Sequence, residues 1–357
     1  MLLLPTVTLR AEEVTYFDEA NYIIEFKIRQ SGAKNYDEWI DSLAIGAGNG
    51  SEWYVMATQQ LEKETDLGAY VQALANRLSS DEMKGTNAQR CALSCLAANC
   101  KSVYIEHAAQ NTIGSQGIMS YIWGLHLLNN GVFSDKFSQE ELINKIISFH
   151  LEDGGFALSG TQSNVDVTAM AITALSPYHL ENSDVASVVD KALLFLSTAQ
   201  TEKGGFLNYG VENCESAAQV IIALCSLGID PETDTRFIKN GKSAVDSLRT
   251  YALTDGSYCH EIEKGYNEIA TQQALHAFTA LHRAENGKSA LFVFDKHPDT
   301  TYPGFSDVVF GKSEAPIAPT DEKTFGVKEI VCISVIALCC VGIVIALILP
   351  KKKDEEA

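Results

Sequence analysis

The sequence predicts an all-α protein in which six helical hairpins close into an α6/α6 toroid, followed by one C-terminal transmembrane helix. Two observations carry the toroid. Apolar helical segments alternate with Gly-rich turns that recur about every fifty residues, and each such turn leads through a short polar loop to an Asn heading a nearly all-apolar helix. A third observation, an uncharged run close to the C-terminus, carries the membrane helix.

The turns set the register. The first is ISFHLEDGGF, with His150, Gly154, Gly155 and Phe156; the second is FLSTAQTEKGGF, with Gln200, Gly204, Gly205 and Phe206. The third, TYALTDGSY, is degenerate and keeps Gly256 and Tyr258. A repeat of this length is one supersecondary unit that must stack on its neighbours to bury its apolar face. Glycine permits the tight turn, and Gly205 is expected to hold a backbone conformation poorly open to other residues.

After the turns come NVDVTAMAITAL from Asn164, NCESAAQVIIAL from Asn213 and NEIATQQALHAF from Asn267. Asn is a preferred N-cap, and Asp166, Glu215 and Glu268 fall in the first turn, where a carboxylate meets the positive end of the helix dipole. Apolar residues on every side of these helices mark them as inner ones. Segments such as ELINKIISFHL and ASVVDKALLFLSTAQ carry a charged face and belong outside. The same alternation backwards to Asn35 adds inner segments near SEWYVMATQQLEK, NAQRCALSCLAANC and GIMSYIWGLHLLNNG, and outer ones near NYDEWIDSLAIG, LGAYVQALANRLSS and SVYIEHAAQNT. Six hairpins can close on themselves, which removes the need for capping repeats; an open superhelix is the architectural alternative.

The 27 basic and 46 acidic residues give a formal charge of -19. That charge repels phosphate backbones and excludes nucleic acid as a partner. The uncharged run Ile330–Leu349 is long enough, as a helix, to span about 30 Å of hydrocarbon. Lys351, Lys352 and Lys353 behind it place the short tail inside and everything before it outside. The expected organisation is a signal-peptide remnant at 1–11, a toroid domain at 12–295, a Pro/Ser/Thr/Asp stalk at 296–328, a transmembrane helix at 329–350 and a cytoplasmic tail at 351–357. Cys91, Cys95, Cys100, Cys214, Cys225 and Cys259 precede the span. Either some pair as disulfides or all serve as small buried residues.

The turns and the inner segments resemble the repeat shared by protein prenyltransferase β-subunits, squalene and hopene cyclases, and cobalamin carriers of the transcobalamin and intrinsic factor type. The resemblance covers most of residues 35–287. Its signature, a Gln, three residues, Gly-Gly and an aromatic, is complete at Gln200, Gly204, Gly205 and Phe206; His150 replaces the Gln in one copy. It implies a structural turn and inner helix N-termini that point into the mouth of a central cavity.

Three chemistries are implied by the relatives. The cyclase acidic motif is matched at Asn164–Ala169, with Asp166 in the middle place and both flanking acids missing. The prenyltransferase zinc spacing is matched by Glu212, Cys214, Ser216 and Gln219, but Asn267 stands where the ligating His belongs, and His260 lies seven residues upstream. Cys214, Glu215, Ser216, Ala217 lacks the thioester motif of the complement domains. Asp166 and Cys214 are thus the candidate catalytic residues, and Glu212, Cys214 and His260 the candidate metal ligands, with zinc not expected. The resulting expectation is a non-catalytic, surface-anchored binder of a corrinoid-like small molecule or of a surface protein. Trp53, Gln89, Tyr121, Asp166, Tyr209, Glu215, Tyr258, His260 and Asn267 are expected to line its mouth. A zinc-dependent transferase, a cyclase and an adhesion module are the alternatives.

Overall fold

The computed structural model describes residues 14–295 except 64, 81 and 82. Among them the chain is helical, with thirteen α-helices and a single short hairpin. The helices are α1 (Tyr16–Ser31), α2 (Tyr36–Ser42), α3 (Ser51–Gln60), α4 (Gly68–Ser80), α5 (Gly85–Ala97), α6 (Val103–Thr112) and α7 (Gly117–Asn129). The second half contains α8 (Gln139–Ile147), α9 (Val165–Leu175), α10 (Ser183–Ala199), α11 (Cys214–Ser226), α12 (Ala244–Arg249) and α13 (Glu268–Glu285).

Burial sorts these helices into two layers. Every residue of α9 is buried, as is α11 from Cys214 to Leu224, whereas α8 buries only Leu142, Ile143 and Ile146 on one stripe. The more deeply buried helices pack in the order α3, α5, α7, α9, α11, α13, and α13 returns to α3, closing a ring. All six run the same way. Neighbours meet end to like end: Ser216 of α11 reaches Asp166 of α9, Asn129 of α7 reaches the carbonyl of Ala174 in α9, and Arg283 of α13 reaches the carbonyl of Gln60 in α3. The N-terminal ends therefore gather at one end of the ring.

The three turns have one geometry. In each, the residue after the His, Gln or Ala donates its N–H to the second turn residue's carbonyl: Leu151 to Gly155 at 3.0 Å, Thr201 to Gly205 at 2.8 Å, Leu253 to Ser257 at 2.8 Å. Gln200 adds two bonds from Nε2, to the carbonyls of Gly204 at 3.0 Å and Phe237 at 2.9 Å. The constrained glycine is the first of the pair, not Gly205: Gly154, Gly204 and Gly256 take φ of 93°, 83° and 90°. A Cβ on these would strike the main chain of Lys191, Ser243 and Tyr22 respectively. Gly205 is limited by space instead, since its Cβ would lie 2.9 Å from Ser247 Oγ.

Those close approaches explain an element that the repeat pattern leaves out. α1 precedes Asn35 and has no turn of its own, yet the third turn packs on its Tyr22 just as the first two pack on α10 and on the start of α12. α1 buries Ala20, Ile23, Ile24 and Phe26 and lies against α13 and α2, adding a seventh outer helix to the six expected. Its Thr15 and Asp18 form a reciprocal capping box.

The opposite end of the ring is closed. After α13 the chain crosses the C-terminal ends of α3 and α7, where Gln60 Nε2 donates to the carbonyls of Leu291 and Val293, and Asn130 Nδ2 to that of Phe292. Phe292 then enters the ring against Trp123, His126 and His276, with ring centroids 5.3, 5.1 and 5.9 Å away. Burial lowers the pKa of His126 to about 3 and that of His276 to about 4, so both are neutral core imidazoles.

The expected membrane anchoring is corrected here. No helix among the described residues is long and apolar enough to cross a membrane; even the longest, α13, carries His276, His282 and Arg283. The single-pass extracellular placement and the membrane partner find no support among the described residues. The segments at 1–11, 296–328, 329–350 and 351–357 lie outside the described residues.

Candidate functional site

The N-terminal ends of α9, α11 and α13 bring three carboxylates to one end of the ring. Each helix is capped as its Asn implies: Asn164 accepts from Val167 N–H at 3.0 Å, Asn213 from Ser216 N–H at 2.8 Å and Asn267 from Ala270 N–H at 2.9 Å. With the cap in place, the first-turn residues Asp166, Glu215 and Glu268 are carried at the positive helix ends.

The three carboxylates have different partners. Asp166 is only 1% exposed. Its Oδ1 accepts from Ser216 Oγ at 2.6 Å and its Oδ2 from Asn208 Nδ2 at 2.7 Å. Burial raises its pKa to about 7 and the charge of Glu215 adds to the rise, while the two hydrogen bonds oppose it. Glu215 is buried and meets His260 Nδ1 at 2.7 Å; the His260 side chain keeps 20% exposure. That hydrogen bond is the main cause holding the His260 pKa above the ordinary imidazole range, against the effect of burial. Glu268 pairs with Lys27 of α1 at 2.7 Å and also accepts from Tyr54 and Tyr266.

Asn208 belongs to a hairpin of β1 (Leu207–Asn208) and β2 (Val211–Glu212), which follows the second turn and lies over Asp166. Asn164 Nδ2 donates to Asn208 Oδ1 at 2.5 Å, so the α9 cap also orients the group that binds the α9 carboxylate. Tyr209 at the tip has φ 50° and is 62% exposed. The loop carrying His260 is tied to α11 through Cys214 N–H, which donates to the His260 carbonyl at 3.0 Å.

Of the residues expected at the mouth, Asp166, Glu215, His260 and Asn267 lie at the N-terminal ends of neighbouring inner helices or on the loop joined to them, and Tyr209 is on the adjoining hairpin. The side chains of the rest are engaged in ring packing or a buried hydrogen bond. Trp53 packs on Trp123 and His276, at 5.3 and 5.6 Å between centroids. Gln89 is buried and donates to the carbonyl of Ser120 at 2.8 Å. Tyr121 faces Phe137 and Phe149 beside α8, and Tyr258 is buried against Phe278. The candidate metal ligands do not converge: Cys214 Sγ faces the carbonyl of Ala270 at 3.7 Å, and Glu212 flanks Gly205. No group of three or more His, Cys, Asp or Glu among the described residues could hold a metal ion. Burial pushes the Cys214 thiol pKa well up, away from thiolate chemistry.

Sequence reasoning missed Asn208, Ser216 and Lys27. Ser216 lies two residues after Cys214, where it was noticed only as part of a zinc spacing. Asn208 and Lys27 reach the carboxylates from distant positions in the chain, and no local pattern signals that.

No protein-family pattern matches the chain, and no curated protein does. The chain is similar in structure to the unsaturated glucuronyl hydrolase of Bacillus sp. GL1, described as responsible for glycosaminoglycan degradation. The TM-score is 0.42 and the identity 14%, over 80% of this chain and 90% of that one. A second similar structure is of a variant of that enzyme with dGlcA-Glc-Rha-Glc, at a TM-score of 0.40 and 14% identity, with the same coverage. The resemblance to the prenyltransferase and cyclase repeat is corrected: no protein-family pattern matches the chain, and the similar structures found are of a hydrolase. The non-catalytic carrier reading has no support in these similarities, which are to a hydrolase. At such TM-scores the likeness is too slight to transfer a mechanism or a site.

Proposed function

We propose that the chain is an acid–base enzyme built on an α6/α6 toroid domain spanning 12–295, with its site at the N-terminal ends of α9 and α11. The observation that supports this most is the Glu215–His260 pair. A buried carboxylate holds Nδ1 of a partly exposed imidazole at 2.7 Å, fixing its orientation and leaving Nε2 as the proton-transferring atom. Asp166, with a pKa of about 7 beneath the pair, is a second group able to gain or lose a proton near neutrality.

In this reading His260, charged through its contact with Glu215, protonates a leaving group from Nε2. Glu215 stabilises the imidazolium, and Asp166, buried beneath the pair, changes the charge around it as it gains or loses its own proton. The reaction class is hydrolysis of a polar, non-phosphorylated substrate. Acidic groups at the mouth disfavour phosphate, and the exposed Tyr209 ring offers a face for a sugar or amide plane.

The test is a panel of chromogenic glycosides, esters and amides assayed between pH 5 and 9. For a cleaved substrate, His260→Gln should lower kcat by about 10²-fold or more. Activity should fall as pH rises through the His260 pKa, because the imidazolium is the acid. Glu215→Gln removes the main cause of the raised pKa and should move that limb to lower pH. Full activity in His260→Gln, or no turnover of any substrate class, overturns the proposal.

A further inference from the structure

α5 ends in a left-handed turn whose two anchoring positions are both cysteines. Asn99 takes φ 54°. Its N–H donates to the carbonyl of Leu96 at 2.9 Å, and that of Cys100 donates to the carbonyl of Cys95 at 2.8 Å. These are the paired bonds of a Schellman turn, in which the side chains at the Cys95 and Cys100 positions characteristically meet. The two thiols do meet: both residues are fully buried, and Cys100 is the hydrogen-bond partner of the Cys95 side chain. That contact and burial hold the Cys95 thiol protonated in the closed turn, so exchange proceeds when the turn opens to solvent. Standard bond lengths around that backbone hydrogen bond keep the two Cα atoms within about 6.7 Å, inside the span of about 4.4 to 6.8 Å that a disulfide bridges.

We propose that Cys95 and Cys100 are a redox pair that closes into a disulfide by exchange with a small-molecule disulfide. The Cys100 thiolate attacks one sulfur of the oxidant, forming a mixed disulfide and releasing one small thiol. The Cys95 thiolate then attacks Cys100 Sγ, forming the Cys95–Cys100 bond and releasing the second small thiol. Two protein thiols are oxidised and one disulfide is reduced to two thiols. Cys100 takes the first step because exposed Lys101 follows it and Ser102 starts α6, so opening this turn exposes Cys100 first. Cys91, one helical turn earlier, is directed elsewhere, with its Sγ 3.9 Å from Glu52 Oε1.

The three cysteines lie between Arg90 and Lys101, so trypsin releases them together in one peptide, 91–101. The full chain is equilibrated with graded ratios of oxidised to reduced glutathione, quenched in acid, alkylated, digested and fragmented by mass spectrometry. As the ratio rises, the peptide should lose two of its three alkyl groups, leaving a mass two hydrogens below that of the singly alkylated dithiol, with the remaining alkyl group on Cys91. The oxidised chain should melt at higher temperature than the reduced one, and Cys91→Ala should preserve the transition. Three alkyl groups at every ratio, a bond that includes Cys91, or a glutathione adduct that persists without closing would each overturn the proposal.

Discussion

The two ends of the helical ring are built from the same repeats and do opposite things. At the C-terminal ends of the inner helices, the segment after α13 crosses the ring, Phe292 fills it, and Gln60, Asn130 and Arg283 bond that segment's main chain. At the N-terminal ends, polar side chains gather, two carboxylates are buried and a histidine stays within reach of solvent. The contrast follows from the helix dipole. Six parallel helices present N–H groups at one end, which stabilise carboxylates, and carbonyl groups at the other, which are satisfied by donors such as Gln60 Nε2 and Arg283.

The largest effect is expected at the sealed end. Phe292→Ala leaves a cavity among Trp123, His126 and His276 and should cost about 3–5 kcal/mol, read as a lowered denaturant midpoint at unchanged slope. A loss below 1 kcal/mol would mean that the segment does not close the ring.

At the other end the expected effect depends on pH. Asp166 has a folded pKa of about 7 against an ordinary value of 3.8. The protonated form is thus favoured by folding. The associated stability is fully present below about 3.8 and is lost as pH rises through 7. Asp166→Asn removes that titration, so its stability relative to the parent should increase between pH 5 and pH 8, by on the order of 2 to 4 kcal/mol. A difference that is flat with pH would show that Asp166 is ionised throughout.

The smallest effect concerns the caps that carry the carboxylates. Asn213→Ala removes the acceptor for Ser216 N–H and should cost about 1 kcal/mol. It should also weaken the contact of Ser216 with Asp166, visible as a shifted Asp166 titration by NMR. An unmoved titration would separate the cap from the site.

Much of this was legible in the chain. The six inner helices, and the Asn caps and first-turn carboxylates of the last three, are local features, set by residues within one or two turns of each other. Asp166, Glu215 and His260 could be picked out for the same reason. The partners were not legible: Asn208 reaches Asp166 across 42 residues, and Lys27 reaches Glu268 across 241. The same limit hid the role of α1, whose amphipathic stripe is local but whose place beside the third turn depends on ring closure.

The sequence by itself determined the helices, the fifty-residue period and the glycine turns, because periodicity, capping and backbone freedom act between near neighbours. Only the tertiary structure decided which turn glycine is constrained, because the collisions at Gly154, Gly204 and Gly256 are with main chain of other segments. It also decided that Tyr121 and Tyr258 pack against Phe149 and Phe278, while Glu215 orients His260 and raises its pKa. Burial and through-space charge depend on which distant residues meet, and the order of residues along the chain does not state that.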